Sequence, residues 1–298
     1  MAGCGGALRV QWVLAAVEGK EVMGTRRAER LIRVTQALFE HPSQVCSLSD
    51  WAQAWQAAKS SLSEDVTLLR QVVEEDGSGR IETYPGAAGG VVFRAQVPPA
   101  RQRAFVSEMS DKLSDASRIL AGGFLYMSDV LGDADVLDLV GRWFASVYQD
   151  KHVSVVVTVE TKGIPLAVSA ARYLHVPVVI ARREHRLTDG PAVSLHYVSG
   201  SERRIQTMSI SRRAMPEQAR ALIVDDFMRA GATVKAVSTL LGEFRAEVVG
   251  TAVFMATREP VKKLVEPYFS LFTLEDLQEG EWVKVRPSAP ILGQTDFG

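Results

Sequence analysis

The sequence has almost no cysteine, no long apolar run and no large excess of charge of either sign. Its two cysteines, Cys4 and Cys46, do not make a disulfide framework or a zinc site, and they fit a reducing, cytosolic compartment. No apolar run reaches the roughly 18 residues that would indicate a membrane span. A formal net charge of −1 excludes a chain that is basic over its whole surface. What remains is a chain of 298 residues, enough for two domains of ordinary size.

The first 23 residues differ from those that follow. Their apolar part is short, carries Arg9 and Glu18, and follows no basic segment, so it makes a poor signal peptide. Regular helical patterning begins just after Met23. We therefore expect residues 1–23 to be an extension that is either disordered or not native, with Met23 as the native start.

Residues 24–97 have the pattern of three short helices followed by a β-hairpin. The first predicted helix spans residues 25–41, and its expected inward residues are Ala28, Leu31, Ile32, Thr35, Leu38 and Phe39. Residues 47–50 (SLSD) and 61–64 (SLSE) resemble capping boxes and are expected to cap the second and third helices. Three helices and a hairpin predict a winged helix-turn-helix domain, with a boundary at Pro98 and Pro99.

From residue 98 to residue 298 the pattern changes to apolar strands that alternate with helices. The continuous apolar run VSVVVTV begins at Val153, and the runs PVVIA, ALIV and EVVGTAVF follow it. Strands of this kind, separated by helices, indicate a parallel sheet that is covered on both faces. The sequence therefore predicts an α/β fold, in which a parallel-sheet domain follows the winged helix.

Residues 221–233, ALIVDDFMRAGAT, place two acids at the expected end of one of these strands. Ligands of open α/β sheets bind at the carboxyl ends of the strands. Asp225 and Asp226 suit hydroxyl groups or a metal-bound ligand, and the small-residue turn after them would present N–H groups to a phosphate. Thr233 adds a hydroxyl donor. Together these features indicate a ribose 5-phosphate site, and the alternative is a similar turn that binds no ligand.

This pattern resembles the phosphoribosyl pyrophosphate (PRPP) motif of type I phosphoribosyltransferases. A second match is Thr161-Lys162-Gly163, which follows a strand and opens a helix where these proteins hold pyrophosphate. The resemblance implies that Asp225 and Asp226 contact the ribose hydroxyls. It implies that the turn holds the 5-phosphate through Arg229, Ala230, Gly231, Ala232 and Thr233.

Two positions in this turn depart from the enzymes. Arg229 stands where hypoxanthine–guanine enzymes have an acid that acts on the base, which argues against catalysis of that type, although adenine- and xanthine-type enzymes lack the acid too. Ala232 replaces a glycine that is common in these loops, and its methyl group would disfavour a strongly positive φ.

Residues 182–213 form a basic stretch, with seven arginines against three acids. A solvated loop would explain this composition. The alternative is a mobile flap that attracts a polyanion. The corresponding region of phosphoribosyltransferases is a flexible loop over the active site, and the resemblance assigns Tyr197, Arg203 and Arg204 to it.

The DNA-binding prediction for the winged helix rests on where its cations lie. Residues 25–96 contain eight basic and nine acidic side chains, which counts against DNA binding on charge alone. Arginines nevertheless crowd the first helix, and a Lys-Ser-Ser sequence opens the third, where N–H groups and hydroxyls can meet phosphates. The expected DNA contacts are Arg26, Arg27, Lys59, Ser60, Ser61 and, in the wing tip PGAAGG, Gly86, Gly89 and Gly90. A winged helix for dimerisation or protein binding is the alternative.

A winged helix followed by a PRPP-type domain resembles the purine operon repressors of Gram-positive bacteria. The most specific matching pieces are AAKSSLSED, PGAAGG, TKGIPLA, YVSGSERRIQTMS and VDDFMRAG. The resemblance implies a homodimer that represses purine synthesis and transport genes, binds double-stranded operator DNA and is released by PRPP, with Mg²⁺ accompanying the phosphates. It implies neither a catalytic residue nor a resident metal. Two alternatives are an active adenine- or xanthine-type phosphoribosyltransferase with an appended regulatory domain, and a PRPP-sensing RNA regulator.

Overall fold

The chain divides into two compact units, Met1–Gln96 and Val97–Gly298. The computed structural model describes residues 26–86, 89–183, 190–198 and 205–288. Within them, no helix has both the length and the apolar character needed to cross a membrane.

The first unit contains three helices and one antiparallel hairpin. These elements are α1 (Arg27–Glu40), α2 (Leu48–Ala54), α3 (Lys59–Glu75), β1 (Gly79–Tyr84) and β2 (Gly90–Ala95). The hairpin register pairs Ile81 with Phe93. A bridge between Cys46 and Val91 joins the segment before α2 to β2. The predicted winged helix-turn-helix architecture is confirmed.

The inward face of α1 differs from the prediction. Leu38 is buried as predicted, and Leu31 and Thr35 are half-buried. Ala28, Ile32 and Phe39 are exposed, Ile32 to 67%, whereas Val34 and Ala37 are buried in their place. Positions three and four apart share one side of a helix, so the buried stripe follows that spacing and leaves Ile32 outside it. Phe39 still contributes to packing, because its ring stacks on Phe93 with centroids 4.3 Å apart.

Helices α2 and α3 begin in different ways. Ser47 Oγ accepts a hydrogen bond from the amide of Asp50 at 3.2 Å, so the first predicted cap is present. The second predicted cap, at Ser61, is wrong. The amide of Leu62 already donates to the carbonyl oxygen of Ala58 at 3.2 Å, so α3 begins at Lys59 and Ser61 lies inside its first turn. The N-cap residue, Ala58, makes no side-chain cap hydrogen bond.

The second unit has an α/β architecture, as predicted. Its elements are α4 (Pro99–Leu113), β3 (Ile119–Leu120), β4 (Phe124–Leu125), α5 (Ala134–Tyr148), β5 (Val155–Val159), α6 (Ile164–Leu174), β6 (Val178–Ala181), β7 (Ala192–Val198), β8 (Ile205–Ser211), β9 (Arg220–Met228), α7 (Ala232–Gly242), β10 (Glu247–Thr257), β11 (Phe269–Gln278) and β12 (Trp282–Pro287). Short 3-10 turns span Ala116–Arg118 and Gln149–Lys151.

A six-stranded sheet forms the centre of this unit, in the order β12-β11-β10-β9-β5-β6. All neighbouring strands are parallel except β11 and β12. Every residue of β5 is buried, as expected for a strand covered on both faces. The pairs β3–β4 and β7–β8 form separate two-stranded sheets. The carboxyl ends of β5, β6 and β9 therefore lie side by side at one edge of the sheet.

Candidate functional site

The two acids of the site lie within β9 rather than at its end. Sheet pairing with β10 continues beyond them, because Phe227 pairs with Met255 and Met228 with Ala256. The expectation that the strand ends at the acids is therefore wrong by two residues. The turn that follows β9 is correspondingly short, since α7 begins at Ala232.

Asp225 is a buried carboxyl group beside a second one. It is 8% exposed, and its Oδ1 accepts a hydrogen bond from the amide of Asp226 at 3.0 Å. Burial raises the pKa of Asp225 well above its ordinary range, and the charge and side chain of Asp226 raise it further, whereas the hydrogen bond from the Asp226 amide lowers it. The positive charge of Arg183 also lowers this pKa. An ionised Asp225 is therefore costly unless a ligand supplies hydroxyl donors or positive charge.

The turn between β9 and α7 uses glycine at the one position where its conformation demands it. Gly231 has φ +84° and is the N-cap of α7, whereas Ala232 is the first helical residue. The methyl group of Ala232 is thus compatible with the turn. The N-terminus of α7 is consequently in place beside the acids, where its N–H groups favour an anion.

A buried lysine that no sequence motif indicates holds this turn in position. Lys263 is 5% exposed, and its Nζ donates to the carbonyl oxygens of Arg229 at 2.6 Å and Thr257 at 2.7 Å. The amide of Leu264 donates to the carbonyl oxygen of Ala230 at 2.9 Å. The carbonyl groups of Arg229 and Ala230 therefore face the segment that follows β10. These contacts fix the direction of the peptide units in the turn.

The predicted pyrophosphate loop contacts Asp225. A Cβ atom at Gly163 would lie 2.6 Å from Thr158 Oγ1 and 2.9 Å from Asp225 Oδ1, so only glycine fits there. Thr158 Oγ1 is buried and has no hydrogen-bond partner among the described residues. Thr161 and Lys162, directly before Gly163, are exposed. The structure thus brings the loop and the first acid together, although 62 positions separate them in the sequence.

Two arginines that directly follow β6 bring positive charge to this site. Arg182 Nη1 donates to Glu160 Oε1 at 3.3 Å, which joins the end of β6 to the loop after β5. Arg183 is exposed, and its charge lowers the pKa of Asp225. Both residues belong to the basic stretch of residues 182–213, whose composition alone does not assign them to the ligand. Their position directly after a parallel strand was the signal that could have done so.

The described part of the basic stretch, residues 182–213, contains a hairpin. Strands β7 and β8 pair antiparallel, and Tyr197 pairs with Gln206 in that register. The Tyr197 hydroxyl donates to Gln206 Oε1 at 2.9 Å. Tyr197 therefore lies in a strand, while Arg203 and Arg204 lie outside the described residues.

In the first unit, the predicted DNA contacts on the helices are accessible. Arg26 is exposed directly before α1, and Ser60 is exposed in the first turn of α3. Lys59 Nζ donates to Ser49 Oγ at 3.0 Å, which connects the two helices of the helix-turn-helix. Ser61 is half-buried.

Part of the positive charge on α1 is used within the unit. Arg30 Nε donates to Asp65 Oδ2 at 2.8 Å, and Arg33 pairs with Glu29 at 2.6 Å. Arg27 lies 3.6 Å from Asp65 Oδ1, but its side chain is 65% exposed. Arg26 and Arg27 therefore remain available to a phosphate, whereas Arg30 and Arg33 neutralise acids of their own domain.

The backbone structure of the wing itself requires its glycines, independently of any contact with DNA. A Cβ atom at Gly89 would lie 2.1 Å from the carbonyl oxygen of Tyr84, and one at Gly90 would lie 2.2 Å from that of Cys46. Gly86 has φ +111° with open space around it. Close backbone packing thus requires Gly89 and Gly90, and Gly86 is the freely accessible glycine.

Comparison with known proteins identifies both units. Residues 26–95 match the family described as "Bacterial purine repressor, N-terminal", and residues 129–286 match "Phosphoribosyl transferase domain". The purine biosynthesis transcriptional repressor PurR of Bacillus subtilis is 44% identical over 259 residues, which cover 87% of this chain and 91% of that protein. The chain belongs to the bacterial purine repressor family.

Two further relatives are a second regulator, which matches most of the chain, and an enzyme, which matches half of it. The purine biosynthesis transcriptional activator PurR of Lactococcus lactis is 38% identical over 250 residues, covering 84% of this chain and 92% of its own. The xanthine phosphoribosyltransferase of Levilactobacillus brevis is 30% identical over 155 residues, covering 50% of this chain and 81% of its own. The relatives that match most of the chain are regulators, so this protein is a transcriptional regulator of purine biosynthesis that contains a phosphoribosyltransferase domain. The alternative of an enzyme with an appended domain is not favoured.

Proposed function

We propose that this regulator is a repressor, that it binds operator DNA through the winged helix, and that PRPP releases it. The observation that carries the proposal is the convergence on Asp225 of two loops, one able to hold pyrophosphate and one able to hold a 5-phosphate. Gly163 lies against Asp225 itself, and the turn at Gly231 follows the acids directly. A molecule with phosphates at both ends of a ribose fits these positions.

Each part of PRPP has matching groups in this arrangement. Asp225 and Asp226 accept hydrogen bonds from the ribose hydroxyls, and the N–H groups from Gly231 to Thr233 hold the 5-phosphate at the start of α7. The loop from Thr161 to Gly163 holds the pyrophosphate, and Arg183 contributes positive charge. Mg²⁺ accompanies the phosphates, because Mg²⁺ sites combine one or two carboxylates with the oxygens of a phosphorylated ligand.

The direction of regulation follows from the chemistry of the effector. PRPP is the committed precursor of purines, so abundant PRPP should release the genes that make them. The Bacillus subtilis relative is named a repressor and the Lactococcus lactis relative an activator. The higher identity to the repressor supports repression. A coupling of about 1–3 kcal/mol between the PRPP and DNA sites is sufficient, because it changes affinity by about 5- to 150-fold.

Operator binding is proposed to involve a homodimer in the cytoplasm. The winged helix has little net charge, so a single copy makes few phosphate contacts. Two copies on one duplex double those contacts and read two half-sites. The exposed Arg26, Arg27 and the start of α3 supply the contacts within each copy.

Titration calorimetry with PRPP and Mg²⁺ tests the assignment of the acids. The wild-type protein should bind, and a variant with both Asp225→Ala and Asp226→Ala should lose at least about tenfold in affinity, because hydrogen bonds to charged groups contribute about 1.5–3 kcal/mol each. Unchanged affinity in the double variant would show that PRPP binds elsewhere or not at all.

A further inference from the structure

Glu64 is an exposed residue of α3 whose carboxylate pairs with no other described residue. The capping role that its sequence context suggests is absent, because α3 begins at Lys59 and Glu64 is the sixth helical residue. Within the part of the chain that the structure describes, no hydrogen bond or ion pair involves its side chain. The second acid of this half of the helix, Asp65, is by contrast buried and paired with Arg30.

Glu64 lies on the face of α3 that is directed away from the core. Leu62, Val66 and Leu69 are buried, and the exposed residues from Lys59 to Thr67 are Lys59, Ser60, Ser63, Glu64 and Thr67. Residues three and four positions apart share one side of a helix, so Ser60, Glu64 and Thr67 form one polar surface. In a helix-turn-helix, the N-terminal part of the second helix, which is α3 in this protein, contacts base edges in the major groove.

A carboxylate on that surface restricts which base it can face. It is an acceptor only, and the surrounding phosphates repel it. Guanine presents two acceptors in the major groove, thymine an acceptor and a methyl group, and adenine an acceptor beside its amino group. Cytosine presents an amino donor alone. Cytosine is therefore the base that compensates the charge of Glu64.

We propose that Glu64 selects a cytosine at one position of each operator half-site. The inference rests on the proposed DNA binding through the winged helix and adds a specificity residue to it. The expected preference for cytosine over the other bases at that position is about 5- to 150-fold. Because the same carboxylate repels phosphates, it should also weaken binding to unrelated DNA.

The test is selection of bound sequences from a pool of random duplex DNA, followed by anisotropy titrations with single-base variants. The full chain is compared with Glu64→Ala, Glu64→Gln and a control, Glu74→Gln. Glu74 is exposed on the same helix ten residues later, about 15 Å along the axis. Each of these three substitutions removes one exposed carboxylate from α3, so circular dichroism should show unchanged helix content in every variant.

The wild type and Glu74→Gln should enrich sites with a fixed cytosine. Glu64→Ala should reduce the preference at that position to less than about threefold, and Glu64→Gln should shift it toward adenine, the base that glutamine recognises. An unchanged cytosine preference in Glu64→Ala overturns the inference. If Lys59→Ala weakens binding while Glu64→Ala leaves every position unchanged, DNA binding through the winged helix stands and the role of Glu64 fails. If the wild type enriches no sequence, the proposed function fails and this inference fails with it.

Discussion

Replacing Asp225 by Asn should stabilise the ligand-free protein while it weakens PRPP binding. The substitution keeps the side-chain shape and the oxygen that accepts the Asp226 amide at 3.0 Å, but it removes an ionisable group from a buried site. Because the pKa of Asp225 is raised in the folded state, the folded protein binds more protons than the unfolded chain above about pH 3.9. Wild-type stability is therefore lost as the pH rises from that value through the folded pKa.

The raised pKa fixes the direction of the effect and its pH dependence. Asp225→Asn should have a higher Tm than the wild type at pH 8, and the difference should disappear near pH 4. For a domain of 150–250 residues, each 1 kcal/mol of added stability raises Tm by about 2–4 °C, which is large enough to measure.

Calorimetric unfolding of the ligand-free protein at both pH values measures this gain. Asp276→Asn is the control, because Asp276 is exposed and its replacement should change stability by less than about 0.5 kcal/mol. PRPP affinity of Asp225→Asn should fall by about tenfold or more. A variant with wild-type PRPP affinity, or with lower stability than wild type at pH 8, would refute the description of Asp225 as a buried acid that binds PRPP and destabilises the ligand-free fold when ionised.

The other predictions concern the second loop, the DNA surface and catalysis. Lys263→Met should lower PRPP affinity about tenfold in calorimetry, because it frees the carbonyl groups that Lys263 holds; the exposed neighbour change Lys262→Met should not, and equal effects of both would contradict the positioning role. Lys59→Ala and Arg26→Ala should each weaken operator binding and lower the salt dependence by about one phosphate contact, and PRPP calorimetry should be unchanged. The protein should show no steady turnover of PRPP with adenine, guanine, hypoxanthine or xanthine in a pyrophosphate-release assay, and sustained release would overturn the purely regulatory account.

The sheet and its acids could be predicted because their signals are local. A strand covered on both faces is a continuous apolar run, and every residue of β5 is buried accordingly. Asp225, Asp226 and Gly231 stand within seven residues, so one stretch of sequence displays both the acids and the turn. The exact end of β9 depended on its pairing with β10, which no local pattern reports.

Features that arise from distant contacts could not be predicted. Lys263 reaches Arg229 across 34 positions, and a single lysine in a loop has no sequence pattern. The wing glycine Gly90 owes its small size to the carbonyl group of Cys46, which is far away in sequence. The capping pattern at Ser61 predicts a helix that begins after that residue. The hydrogen bond from the Leu62 amide to the Ala58 carbonyl group instead starts α3 at Lys59.

The most direct test of the account is the affinity of the full chain for a duplex from a purine-gene promoter, measured by fluorescence anisotropy with and without PRPP and Mg²⁺. We predict that saturating PRPP weakens wild-type binding about 5- to 150-fold, and that the double variant Asp225→Ala, Asp226→Ala binds DNA as tightly as wild type but is not released. The same DNA affinity in the presence and absence of PRPP would contradict the account, and so would equal release of the wild type and the double variant.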